Sequence, residues 1–218
     1  MAIKVLVADD EALVRHALRI FVDSSELLEV VGEATNGVEA IQQCQALAPD
    51  VVLMDIQMPR MNGIEAIRAV TTAMPEVKTI AVTTFSAERH IVAALQAGAS
   101  GYLVKDSSPD AVIQAILDVI EGRSALSPQV TRELVSMIQG DTGSPLVSVL
   151  TQLEPLTARE LSIVEKLALG RSNAEIADDL HLAEATVKAN LHRVMRKWDV
   201  RDRVQVLITA VRRGLVTI

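Results

Sequence analysis

At 218 residues the chain is long enough for two ordinary domains or one large one. Half of its residues are hydrophobic, yet no apolar run is long enough to span a bilayer, and a lone cysteine, Cys44, excludes an internal disulfide framework. The net charge of -7 is unevenly spread: residues 1–122 carry 8 Lys/Arg against 17 Asp/Glu, residues 123–155 carry 2 against 3, and residues 156–218 carry 11 against 8. An acidic first part and a mildly basic last part point to different partners.

The N-terminus, "MAIKVLVADD", holds a single Lys and leads directly into a strand-like run, unlike a signal peptide. Together with the single cysteine this indicates a cytoplasmic protein with no membrane partner. Short apolar runs follow at 3–8, 29–34, 51–54, 79–83 and 101–104. They alternate with amphipathic stretches near 11–23, 37–48, 63–73, 87–97 and 109–121. Five strand-then-helix repeats predict a doubly wound, five-stranded parallel sheet covered by helices on both faces. Ser108 before Pro109 reads as a helix cap.

In an open parallel sheet, ligands sit beyond the carboxyl ends of the strands, where strand order reverses. The first run ends at Asp9 and Asp10, the third at Asp55, the fourth at Thr83, and the fifth runs into Lys105. With strand order 2-1-3-4-5 these side chains share one pocket. Taken singly, an Asp or Glu11 here suits a helix start, Lys105 a solvated surface and Thr83 a strand. All of them ending adjacent strands at one edge favours a joint role. Three clustered carboxylates repel unless a cation joins them, and hard oxygen donors suit Mg²⁺. A Lys and a hydroxyl beside them meet the needs of a phosphoryl group, so the chemistry that fits is carboxylate attack on phosphorus to give an acyl phosphate.

The stretches "VLVADDE", "VVLMDIQMPRMNGIEAI", "AVTTFSA" and "AGASGYLVKD" occur in order within residues 1–122, and that region resembles a bacterial response-regulator receiver domain of the CheY-like fold. The resemblance implies Asp55 as phospho-acceptor. It implies Mg²⁺ (or Mn²⁺) held by Asp10, Asp55 and the Gln57 backbone carbonyl with support from Asp9. It also implies Lys105 as partner of the phosphoryl group, and Thr83 and Tyr102 as switch residues. Tyr102 also fits as a plain sheet aromatic. Gln57 and Phe85 would flank the phosphoryl group, and neither can activate water, so slow self-dephosphorylation is expected.

Apolar periodicity fades near "QGDTGSPLVSVLTQLEPL", so residues 123–154 read as a linker, with a short helix at 128–138. From 155 to 218 the pattern is helical, with segments at 158–169, 173–180, 184–198 and 201–213. The third of these places Val187, Leu191, Val194, Met195 and Trp198 on one stripe. Ala185, Lys188, Ala189, His192, Arg193 and Arg196 fall opposite, with Asn190 and Lys197 on a flank. A basic second helix after a short turn suits a DNA major groove, although a solvated helix in an ordinary bundle has the same pattern.

Residues 156–216, "LTARELSIVEKLALGRSNAEIADDLHLAEATVKANLHRVMRKWDVRDRVQVLITAVRRGLV", are similar throughout to the LuxR-type helix-turn-helix domain. Joined to a receiver, that domain defines the NarL/FixJ class of two-component response regulators. The resemblance implies Lys188, Ala189 and His192 at base-reading positions, and Thr186, Arg193 and Arg196 at phosphates. Val204, Leu207, Ile208, Val211 and Leu215 fit either a core or a dimer surface.

The expected function is a non-enzymatic transcriptional regulator. A partner sensor histidine kinase phosphorylates Asp55, and the resulting homodimer binds double-stranded promoter DNA. Two alternatives stand beside it: a receiver-type adaptor acting through protein contacts alone, and an aspartyl-nucleophile phosphatase. The phosphatase would usually carry a second Asp where Gln57 stands.

Overall fold

A computed structural model describes residues 2–84, 89–122, 131 and 154–216. Phe85 lies outside the described residues, as do the expected linker and its short helix except for Thr131 and Glu154. The chain divides into two compact units, Met1–Ala125 and Leu126–Ile218.

The first unit runs β1 (Ile3–Ala8), α1 (Ala12–Asp23), β2 (Leu28–Ala34), α2 (Gly37–Leu47), β3 (Val51–Asp55), α3 (Gly63–Ala73), β4 (Lys78–Thr83), α4 (Arg89–Ala97), β5 (Gly101–Val104) and α5 (Pro109–Ile120). All strands pair in parallel, in the order β2-β1-β3-β4-β5, so this is the doubly wound sheet that the alternation predicts. Every residue of β3 is buried, as a central strand covered on both faces requires.

On one face Val5, Val7, Leu53, Ile80 and Val82 pack with Leu18 and Val22 of α1 and with Val112 and Ile116 of α5. Alternate strand residues point the other way, the side of the buried Cys44, Ile67 and Val70 of α2 and α3. Burial pushes the Cys44 thiol up to about 12, which leaves it an inert core side chain. Ser108 caps α5 by accepting from the Ala111 N–H, with Pro109 in the first turn.

The turn after β3 depends on Gly63. Its N–H donates to the Ile56 carbonyl at 2.9 Å, and a Cβ at this position would run into the Asp55 carbonyl. The absence of a side chain lets the start of α3 pass beneath the end of β3, leaving the Asp55 carboxylate at the edge.

The second unit holds α6 (Ala158–Ala168), α7 (Asn173–Asp179), α8 (Glu184–Trp198) and α9 (Arg203–Arg212). Thr157 with Glu160, and Ser172 with Glu175, form capping boxes at the starts of α6 and α7. Between α7 and α8, His181 adopts φ 52° and the Leu182 N–H donates to the Ala177 carbonyl at 2.8 Å, making the tight turn. Val204, Leu207, Ile208 and Val211 of α9 are buried, and Leu215 beyond it is 36% exposed. No described helix is long and apolar enough to cross a membrane.

Candidate functional site

The first strand carries Asp9 and Asp10 to the same edge at which β3 delivers Asp55, because β1 and β3 are direct neighbours. Oxygen atoms of the three carboxylates lie within 4.8 Å of one another; Asp9 and Asp55 are buried and Asp10 is exposed. Lys105 enters from the end of β5. Its Nζ sits 2.9 Å from Asp9 Oδ2, 2.9 Å from Glu11 Oε1 and 3.2 Å from Asp55 Oδ2. Asp9 Oδ2 gains this ion pair without an aligned hydrogen bond.

Backbone bonds fix the cluster. The Lys105 N–H donates to the Thr83 carbonyl at 2.7 Å, which holds β5 against β4 where Lys105 leaves the sheet. The Gln57 N–H donates to Asp55 Oδ1 at 3.3 Å, and the Glu11 N–H to Asp9 Oδ1 at 2.8 Å. Thr83 is buried at the last position of β4, one step beyond Val82, which is in register with Asp55. Tyr102 is buried in β5, in register with Ala81 and therefore two positions back from Thr83's partner Val104. The Gln57 side chain is exposed.

Burial, reinforced by the charge of Asp9, pushes Asp55 up to about 6, against the pull of Lys105. Burial likewise raises Asp9 above the ordinary carboxylate range. Burial alone would lower Lys105, but its close contacts with the Asp9 and Glu11 carboxylates and the charge of Asp55 outweigh this and hold the ammonium above its ordinary value. At neutral pH, therefore, Asp55 is mostly ionised yet unusually basic, and Lys105 is fully charged. Three oxygen-donor carboxylates, one open to water, form a donor set that fits a hard divalent cation.

Glu11 was not singled out by the sequence pattern as a partner of Lys105. Its charge beside Asp9 and Asp10 was visible, but its ion pair spans 94 residues.

In the second unit, α8 buries Val187, Leu191, Val194 and Trp198. Thr186, Ala189, His192, Arg193 and Arg196 are exposed, as is Ala185. Lys188 is half-buried and pairs with Glu184 at 3.2 Å, one helical turn back. The two flank residues turn inward. Asn190 is buried and donates to the Thr186 carbonyl at 2.7 Å, and Lys197 pairs with Glu160 at 2.8 Å.

Comparison with known proteins matches both units. Residues 5–117 fit the family model described as the response regulator receiver domain, and residues 154–210 the one described as bacterial regulatory proteins, luxR family. The transcriptional regulatory protein LnrK of Bacillus subtilis (strain 168) is 38% identical over 216 residues, covering 98% of each chain. The response regulator protein VraR of Staphylococcus aureus (strain NCTC 8325 / PS 47) is 34% identical over 216 residues, 99% of this chain and all of that one.

Among solved structures, the response regulator ChrA of a heme-sensing two-component system is similar over 98% of both chains, with 34% identity and a TM-score of 0.53. The receiver domain of the NarL response regulator from Mycobacterium tuberculosis is 34% identical, with a TM-score of 0.54 over 56% of this chain and 98% of that one. With an acidic cluster on the β2-β1-β3-β4-β5 sheet of the first unit, four helices among the described residues of the second, and relatives matched along nearly the whole length, the chain belongs to the two-component response regulators that join a receiver domain to a LuxR-type helix-turn-helix DNA-binding domain, the NarL/FixJ class.

Proposed function

We propose that the chain is a phosphorylation-switched transcription factor whose acceptor is Asp55. The observation that carries this reading is the meeting of Asp9, Asp10, Asp55 and Lys105 at one sheet edge. Residues 1–122 form the receiver, 123–154 the linker and 155–218 the DNA-binding domain in this reading.

An ionised Asp55 oxygen attacks phosphorus in the phosphohistidine of a partner sensor kinase. The new O–P bond forms as the N–P bond breaks, and the imidazole departs with the electron pair. Asp10, Asp55 and the Gln57 carbonyl, supported by Asp9, are the groups that would hold Mg²⁺ or Mn²⁺. When bound, the cation supplies charge neutralisation for the phosphoryl oxygens. Lys105 contributes a second positive charge, and Thr83 offers a hydroxyl. Drawing Thr83 and Lys105 toward the phosphoryl group leaves room for Tyr102 to reorient, which shifts the population of conformers competent to dimerise.

A homodimer then presents two copies of α8 to two half-sites in duplex DNA. Lys188, Ala189 and His192 face base edges, and Thr186, Arg193 and Arg196 face phosphates. Lys188 leaves Glu184 to do so. The exposed Gln57 beside the acceptor cannot act as a base toward water, so the acyl phosphate hydrolyses slowly.

The test is labelling with a small radiolabelled acyl phosphate in Mg²⁺, followed by selection of bound duplexes from a random pool with and without that donor. Asp55→Asn is expected to take no label, and phosphorylated wild type to enrich paired half-sites. Full stoichiometric label in Asp55→Asn would overturn the assignment of the acceptor.

A further inference from the structure

The single positive charge of Lys105 faces three carboxylates. Its Nζ carries three protons, and three separate carboxylates, those of Asp9, Glu11 and Asp55, stand within 3.2 Å of it. The three are not equivalent. The side chains of Asp9 and Asp55 are 0% and 2% exposed, whereas that of Glu11 is 61% exposed.

Glu11 also occupies the N-cap position of α1 without using its carboxylate as a cap. Its N–H is instead tied to Asp9 Oδ1 at 2.8 Å, which fixes the main chain while the side chain reaches across to Lys105. The carboxylate is thus committed to the lysine and not to the helix.

A phosphoryl group on Asp55 brings about 1.5 to 2 negative charges and three strong acceptor oxygens. To serve it, Lys105 must give up a partner. Releasing Asp9 strands a buried carboxylate, which is costly. Releasing Glu11 returns an exposed carboxylate to water, which costs little. We infer that Glu11 is a positioning residue that restrains Lys105: it holds the ammonium in the unmodified protein and competes with the phosphoryl group for it. This deepens the reading of Asp55 as acceptor and rests on it.

The experiment is calorimetric titration of the full chain with beryllofluoride, a phosphoryl mimic, at saturating Mg²⁺, which reads affinity without any turnover. Glu11→Gln is expected to bind the mimic about two- to five-fold more tightly, the scale of one exposed ion pair, with an unchanged melting temperature. Asp106→Asn removes a charge next to Lys105 in the chain that makes no ion pair with it among the described residues, and is expected to match wild type. Equal affinity in Glu11→Gln and wild type, weaker binding in Glu11→Gln, or an equal gain in Asp106→Asn each overturns the inference. If wild type itself takes no beryllofluoride in Mg²⁺, the acceptor reading falls with it, so the two failures are distinguishable.

Discussion

The Lys197 ammonium lies 2.8 Å from Glu160 Oε2 although 37 residues separate them, and Glu160 is almost wholly buried. This pair fastens the last turn of α8 to the first turn of α6. The Thr157 N–H and hydroxyl both donate to the same Glu160 oxygen, at 2.8 and 2.9 Å, so one buried carboxylate serves as both cap and interhelix tie. Trp198, the next residue, donates its indole N–H to the Glu154 carbonyl at 3.1 Å and carries Arg213 over its ring at 5.4 Å.

Burial alone would raise Glu160, but its hydrogen bonds from Lys197 and Thr157 win and hold it below the ordinary glutamate range. A depressed folded pKa gives stability that is present above the unfolded value near 4.5 and lost as pH falls through the lower folded value. Glu160→Gln is therefore expected to unfold more easily than wild type at pH 7, with the two curves converging well below pH 4.5. The chain's only tryptophan, Trp198, lies in this unit, so its fluorescence follows the relevant transition. Parallel curves from pH 7 to pH 3 would remove the Glu160 tie from the stability of this unit.

Asp55 has the opposite sign. Its folded value near 6 stands above the ordinary 3.8, so the stability linked to its protonated form is full below about 3.8 and is lost as pH rises through about 6. In chelator, Asp55→Asn is expected to exceed wild type in stability at pH 7.5 by about 2–3 kcal/mol, two pKa units at about 1.4 kcal/mol each. The difference shrinks as pH approaches 4. Added Mg²⁺ narrows it from the other side by binding wild type. Denaturant unfolding followed by circular dichroism at several pH values checks both trends.

Gly63→Ala tests how the acceptor is held. A Cβ there meets the Asp55 carbonyl, and that contact is with backbone, which cannot swing aside. The substitution is expected to cost about 1–3 kcal/mol of stability, as overpacked positions do. It should also slow phosphoryl labelling out of proportion to that loss, because Asp55 is displaced. Labelling at the wild-type rate in folded Gly63→Ala would show that the turn tolerates the shift.

The alternation of apolar runs with amphipathic stretches predicted the sheet, because parallel strands buried on both faces leave continuous apolar runs such as "VVLMD". The convergence of Asp9, Asp55 and Lys105 followed from strand order, since ends of adjacent strands must share an edge. Pairings that strand order does not dictate were not readable. Lys197 looked like a flank residue of a basic helix, and only the packing of α8 against α6 turns it toward Glu160. Glu11 and Lys105 meet because Glu11 turns its carboxylate from the start of α1 toward the end of β5, a side-chain direction that strand order alone does not give. Helical periodicity gives direction around one axis, and a partner on another helix lies outside that information.

The outward face of α8 gives the last test. Arg193 and Arg196 are exposed, whereas Val187, Leu191 and Val194 hold the helix in the core, so truncating the arginines leaves the fold intact. A phosphate contact contributes to every duplex alike and is screened by salt, each one adding about 0.9 to the slope of log affinity against log salt. Arg193→Ala and Arg196→Ala are each expected to weaken binding uniformly across sequences and to lower that slope by about 1. Lys188→Ala is expected instead to cost about 1–3 kcal/mol on preferred duplexes and little on random ones, as a base-edge contact does. Because Lys188 starts on Glu184 at 3.2 Å, Glu184→Gln should strengthen binding slightly by freeing it. Quantitative titrations at three salt concentrations distinguish the two classes. An unchanged slope in the Arg193→Ala, Arg196→Ala double variant would mean that this face of α8 does not meet the DNA backbone.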